Sequence, residues 1–435
     1  WFVIVMKEKL NKEFIINLSK KKQEPAWMLN HRLQSYENFL SQDEPNFGPD
    51  IHIDFDEICY YKDKTKEMTN KWDKVACNIK TTFDDLGVID AEKKYLGGVT
   101  NQYESEVFYH NQVIGNGIIF TSTDDALKKY PELFQKYFNN LVKFDENKYT
   151  ALNNAVWSGG SFIYIPKGVK VDKPLQSYFR IETESLGQFE HTIIIVDDEA
   201  ELSYIEGCTA TAYSKTSLHA GVVEIYVGKN AKCRYSTIQN WSTDVYNLVT
   251  KRAIVSDGGL MEWVDGNIGS GLTMKYPSCI LKGDNAVGNS ISIAYAKAGQ
   301  VLDAGAKMIH LGKNTKSSII SKSIAEAGGI ANYRGTTRIT KNAFNSEATI
   351  KCDTIILDNL SKSDTFPKNI VANQSSKLTH EATVSKLDAD KLFYLCSKGL
   401  TEDQARELLI MGFITDFKNE LPMEYAVELN RLIKE

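Results

Sequence analysis

Three residues near the end of the chain carry side chains that together could do inorganic chemistry. Cys352 is followed 28 residues later by His380 and 29 later by Glu381. A thiolate, an imidazole and a carboxylate form a plausible ligand set for iron. A cation or imidazole beside Cys352 would also lower its thiol pKa and make it a better nucleophile for persulfide sulfur. A second cysteine, Cys208, closes an alternating stretch in IEGCTA, and Gln239 of the YSTIQNW stretch follows 31 residues later. A cysteine in a β-core also fits as a small apolar residue. The spacings matter only if the intervening chain brings those positions side by side.

A repeat supplies that possibility. HTIIIVDDEAELSYIEG resembles GVVEIYVGKNAKCRYSTIQN: an apolar run, a polar turn, then an alternating run. The turn recurs as SDGGL, KGDNA, GKNTK and TKNAF. With Glu199, Asn230, Gly258, Asn285, Asn314 and Asn342 as markers, the spacings are 31, 28, 27, 29 and 28. A near-constant period of this size indicates stacked supersecondary units. Units of strand, turn and strand without helices make a β-helix over residues 156–384. Positions one period apart then lie on adjacent coils, about 4.8 Å apart. Cys352 is expected beside His380 or Glu381, and strand alternation allows only one of those two on its face. Cys208 is expected beside Gln239.

Helical patterns flank this core. Residues 1–155 are mixed and mostly helical, with a helix broken at Pro131 and Asp124 as its candidate N-cap. The charged stretch from Lys62 to Lys74 lacks periodicity and reads as a loop. Residues 385–435 return to helix. Asp388 can cap DADKLFYLCSK, Gly399 stands where a C′ glycine belongs, Thr401 with Gln404 forms a capping box, and Pro422 opens an amphipathic segment bearing Tyr425, Leu429 and Leu432. This region is expected either to cap the open end of the solenoid or to dock a partner.

Composition excludes several classes. The chain is 42% hydrophobic and 25% charged with a net charge of −5, which gives no reason to propose nucleic acid or an anionic membrane as partner. No apolar run reaches transmembrane length. The start, WFVIVMKEKL, lacks the order of a signal peptide, and Met6 is a candidate start. The seven cysteines contain no CxxC pair, which argues for reduced thiols rather than a disulfide framework or a zinc site. Cys59 and Cys77 show no partner at metal-ligand spacing, Cys233 and Cys279 read as packing residues, and Cys396 reads as a core residue of a helix beside Phe393 and Leu395. No phosphate loop, GxSxG elbow or HExxH helix occurs. Few carboxylates repeat at the coil period, which disfavours a β-helix carbohydrate-active enzyme. Only eight of the 51 basic residues are arginines. This lysine bias suggests AT-rich coding, and from it a plastid or apicoplast origin, with a bacterial cytoplasm as the alternative.

The motifs YFRIETESLGQFEHT, YIEGCTA, YSTIQNW, MKYPSCILKGDNAVG, AKMIHLGKNTKSSIISK, CDT, HEATVSKL and ELPMEYAVELNRL occur in an order that resembles the SufB family, across about residues 85–435. The resemblance implies a right-handed parallel β-helix between helical regions and a scaffold role in iron–sulfur cluster assembly. It also implies persulfide sulfur from a SufS/SufE-type cysteine desulfurase system. The implied cofactor is a transient cluster, of the 4Fe-4S type, with reduced flavin as a possible electron source in the complex. The implied partners are a SufC ATPase on the C-terminal helical region, SufD or a second SufB on the β-helix, and acceptor apo-proteins. By family pattern Cys208 is the sulfur acceptor, Arg180, Gln239, Trp241 and Lys251 line the sulfur path in the β-helix interior, and Cys352, His380 and Glu381 serve cluster assembly. The alternative is a SufD-like structural subunit. Two departures stand out: Thr379 precedes His380 where many relatives carry Glu, and Glu182 stands where relatives commonly have Asn. The CxxCxxxC segment of some relatives is absent.

Overall fold

The computed structural model describes residues 9–62, 96–112, 115–210 and 216–419. Cys77, the Lys62–Lys74 stretch beyond Lys62, and the Pro422 segment lie outside them.

Alternating β-branched runs and tight polar turns wind into a parallel β-solenoid of about eight turns. Each coil gives one strand to a ten-stranded sheet and one or more to a thirteen-stranded sheet. In the first sheet the strands Leu175–Ile181, Glu201–Ala210, Lys232–Trp241, Leu260–Gly269, Val287–Ala296, Lys316–Ala325, Glu347–Ile356 and Lys377–Lys386 lie side by side in that order. All are parallel, so each inward position stacks on an inward position of the next coil. Tyr204, Tyr235 and Trp263 form one such row in the apolar interior. The N-terminal region also supplies strands. Gly98–Tyr103 runs parallel to Leu175–Ile181, and Ile119–Ser122 pairs antiparallel with Ser161–Ile165.

The turn markers have a physical basis. Glu199, Asn230, Gly258, Asn285 and Asn314 all adopt positive φ, and each of their amides donates to a carbonyl on the following coil. At Gly258 a Cβ would meet Asn230 Oδ1 at 2.3 Å. The last marker differs from the expectation. Asn345, not Asn342, takes the left-handed conformation (φ +56°), which lengthens that coil by three residues.

Helices α1 (Lys12–Lys22), α2 (Ala26–Ser41) and α5 (Lys148–Val156) pack on the outer face of the second sheet. Asn11 caps α1 and an Asn147/Thr150 capping box starts α5. The stretch after Ser122 forms two short helices, α3 (Thr123–Lys129) and α4 (Pro131–Tyr137, with Pro131 in its first turn). Ser122 caps α3. Asp124 does not, because its carboxylate binds Lys22 (2.5 Å) and the Gly159 amide (2.8 Å).

In the C-terminal region Asp388 caps α6 (Ala389–Ser397), Gly399 follows with φ +98°, and Thr401 with Gln404 boxes α7 (Glu402–Phe413). With α8 (Thr415–Asn419), α7 lies along the flank of the first sheet. Ile410, Ile414 and Phe417 cover Ile238, Val264 and Ile293 there, and Lys322 Nζ donates to the Phe413 carbonyl at 2.6 Å. These helices therefore do not cap the solenoid. Lys377–Lys386 is the terminal strand of its sheet among the described residues, and its Val384 is exposed.

Candidate functional site

Strand alternation decides which residues enter the interior. In Glu201–Ala210 the inward positions are Leu202, Tyr204, Glu206 and Cys208; in Lys232–Trp241 they are Cys233, Tyr235, Thr237, Gln239 and Trp241. Cys208 stands directly against Gln239, as the period predicts. It is 1% exposed and packs with Phe179, Leu186 and Trp241.

The interior turns polar at this level. Cys208 Sγ lies 3.9 Å from Glu206 Oε1. Lys251 Nζ is 3.4 Å from Glu206 and 3.8 Å from Asp265, and sits 4.5 Å over the Tyr235 ring. Lys275 Nζ is 2.9 Å from Asp265 and 3.1 Å from Gln239 Oε1. His219 Nε2 meets Glu190 Oε1 at 2.6 Å, and its ring lies 4.7 Å from that of Trp241. Two buried donors beside Cys208, Gln239 Nε2 and Trp241 Nε1, have no partner.

Burial and charge set the protonation of this group. Burial pushes the Cys208 thiol well up, Glu206 and Glu190 add to the rise, and Lys251 and Lys275 oppose it. Burial alone would lower Lys251, but Glu206 and Asp265 outweigh it and hold the ammonium charged. For Lys275 burial prevails over Asp265 and its pKa falls. Burial would raise Asp265, yet the two lysines depress it.

The second group lies at the open end. His380 Nε2 is 3.9 Å from Cys352 Sγ, and His380 Nδ1 is 3.0 Å from Asn369 Nδ2. Cys352 pairs in register with Ala382, so the imidazole reaches the thiol on a diagonal. Glu381 faces outward beside Lys351, as alternation demands. One expectation fails here. Burial pushes the Cys352 thiol up to about 12, Tyr333 draws it down and Asp353 raises it, so the site does not activate this sulfur as a thiolate. Arg180 also departs from its expected place. Its neighbour Phe179 takes the inward position opposite Cys208, so Arg180 lies on the outer face, bound to Glu182 (2.7 Å) and Thr209 (2.9 Å).

One inward row joins the two groups. Glu206, Thr237, Asp265, Ser292, Ser321 and Cys352 occupy successive coils in direct register. Thr237 donates to Asp265, and Ser292 to Ser321 at 3.2 Å. Among the described residues no group of three or more His, Cys, Asp or Glu is placed to hold a metal ion. Nor is any helix there long and apolar enough to cross a membrane.

Comparison with known proteins bears on this architecture. Residues 179–413 match the family described as SUF system FeS cluster assembly, SufBD core domain, and residues 21–177 match the SufBD protein N-terminal region. The chain belongs to the SufBD family. The iron–sulfur cluster assembly protein SufB of Bacillus subtilis is 54% identical over 429 residues, covering 98% of this chain and 92% of that protein. A SufBD family protein of Staphylococcus saprophyticus matches to the same extent. These SufBD relatives are bacterial, and bacteria have no plastids, so the plastid reading is withdrawn. Lysine-rich composition reports codon usage rather than a compartment.

Sequence reasoning overlooked Glu206, Asp265, Lys275, His219 and Glu190. The signal was present for three of them: a charge at an inward position of an otherwise apolar alternating strand, as in SYIEGC, EWVDGN and LTMKY.

Proposed function

We propose that this chain is a scaffold on which iron–sulfur clusters are built, with Cys208 receiving sulfur and Cys352 and His380 holding the nascent cluster. The polar inward row from Glu206 to Cys352 carries this reading, because a solenoid core has no packing reason to stack carboxylate, hydroxyl and thiol in register. A persulfide on Cys208 would meet the unpartnered Gln239 and Trp241 N–H groups, which stabilise an anionic terminal sulfur. Lys251 and Lys275 lower the cost of that charge in the interior. From there the hydroxyls of Thr237, Ser292 and Ser321 offer partners to sulfur moving toward Cys352.

The cluster is cargo rather than a resident cofactor. Cys352 and His380 are two donors, so further ligands come from a second chain seated on the open end, either SufD or another copy. The exposed Phe393, Tyr394 and Leu408 on α6 and α7 suit a SufC-type ATPase. A SufS/SufE-type desulfurase would supply the sulfur and apo-proteins would take the product.

The test is anaerobic reconstitution with iron and sulfide, with the partner subunits present, on wild type and Cys352→Ala, read by visible absorption and Mössbauer spectroscopy. A cluster in wild type that disappears in the variant supports the scaffold reading. An equal cluster in both overturns the placement at Cys352, and none in either overturns the scaffold role.

A further inference from the structure

Cys208 is 1% exposed. A persulfide carried on another protein cannot touch a sulfur at that depth, and thiol–persulfide exchange requires contact. The small apolar cluster that encloses Cys208 has a second sulfur at its rim, Cys59, which is half-buried.

The chain places Cys59 there deliberately. Its amide donates to the Ser185 carbonyl (2.8 Å) and its carbonyl accepts from the Gly187 amide (2.9 Å), which stitches this residue alongside Leu186 as a one-residue strand. The flanking Ile58 and Tyr60 are each 2% exposed and turn into the cluster beneath α1, α2 and α5, where Tyr60 stacks on Phe189. Alternation then sends Cys59 the opposite way, against the cluster to which Phe179, Leu186 and Cys208 belong, and its thiol lies 3.5 Å from the Tyr61 carbonyl. Two large anchored neighbours hold this half-buried sulfur at the edge of the cluster that contains Cys208.

We propose that Cys59 is the surface thiol through which sulfane sulfur reaches Cys208; this rests on Cys208 being the sulfur acceptor. In the first step the Cys59 thiolate attacks the outer sulfur of the donor's persulfide, and the donor cysteine leaves as a thiolate. In the second, the Cys208 sulfur attacks the outer sulfur of the Cys59 persulfide. The S–S bond at Cys59 breaks, Cys59 leaves as a thiolate, and the proton released by Cys208 ends on it. One sulfur atom moves at each step, and no external oxidant or reductant is needed.

The experiment uses the full chain with a cysteine desulfurase that carries persulfide on its own protein and is fed isotopically labelled cysteine. Alkylation at timed intervals and peptide mass spectrometry locate the label. In wild type the label appears on Cys59 before Cys208. In Cys59→Ser the loading of Cys208 slows by about tenfold or more, and in Cys208→Ser the label stays on Cys59. Wild-type loading of Cys208 in Cys59→Ser, or label on Cys208 ahead of Cys59 in wild type, overturns the relay and leaves the acceptor role standing. Absence of label from Cys208 in wild type overturns the acceptor role and the relay together.

Discussion

Cys208 and Cys352 face the same interior from one sheet, five coil steps apart, with Cys352 in the row of Glu206 rather than that of Cys208. At about 4.8 Å per step the two sulfurs are separated by about 24 Å along the solenoid axis. No side chain spans that distance. The coils between them carry inward hydroxyls and the Asp265–Lys275 pair.

At the open end, His380→Ala and Glu381→Ala should behave differently. His380 touches the Cys352 thiol and Glu381 faces away from it. Cluster yield on reconstitution falls to background for the first and stays near wild type for the second. Equal losses would mean that the outward face holds the cluster instead.

The Cys352 thiol is held near 12 against an ordinary 9. Its alkylation rate in the isolated chain should therefore keep climbing through pH 10 and above, where an unperturbed thiol has levelled off. A plateau near pH 10, measured on the Cys352 peptide, would contradict the burial argument.

Asp265→Asn leaves Lys275 and Lys251 buried with one carboxylate fewer. The cost should be about 3–5 kcal/mol in urea unfolding, and the paired variant Asp265→Leu/Lys275→Met should cost less. A single variant as stable as wild type would show that water reaches the pair.

His219 has its pKa raised. Burial opposes protonation, but Glu190, Asn247 and Glu206 together outweigh it. A basic group raised on folding adds stability below its unfolded value near 6.5 and loses it as pH climbs through the folded value. The stability lost in Glu190→Gln is thus larger at pH 6 than at pH 9. A pH-independent difference would mean that the pair acts by hydrogen bonding alone.

Asn345→Ala should cost about 1 kcal/mol, because a Cβ-bearing residue other than Asn or Asp resists positive φ. Asn342→Ala should fall within about 0.5 kcal/mol of wild type. Thermal unfolding separates the two, and the reverse order would restore the shorter coil.

Periodicity made the solenoid legible because its turns repeat a backbone need, a left-handed residue once per coil, that Asn and Gly meet most easily. That rule misled at TKNAFN, which offers two asparagines three apart; Asn345 takes the left-handed turn, and its amide donates to the Ser375 hydroxyl on the next coil. The pairing of Cys208 with Gln239 followed from spacing, since a parallel register has few alternatives. The burial of Cys352 and its raised pKa did not, because neighbours such as Tyr333 come from the other sheet. Arg180 was misplaced for want of a parity check against Phe179. The flank position of α7 and α8 depends on Ile238, Val264 and Ile293, apolar residues on an outward face that no local pattern matches to a particular helix.

The uncovered last coil has a consequence for supply. Among the described residues no strand pairs with the outer edge of Lys377–Lys386, which carries a lysine at each end. An edge of this kind is a template for an extended peptide or a second copy of the chain, so synthesis in excess of any partner that pairs with it would leave that template exposed. Synthesis balanced against such a partner would keep that exposure short.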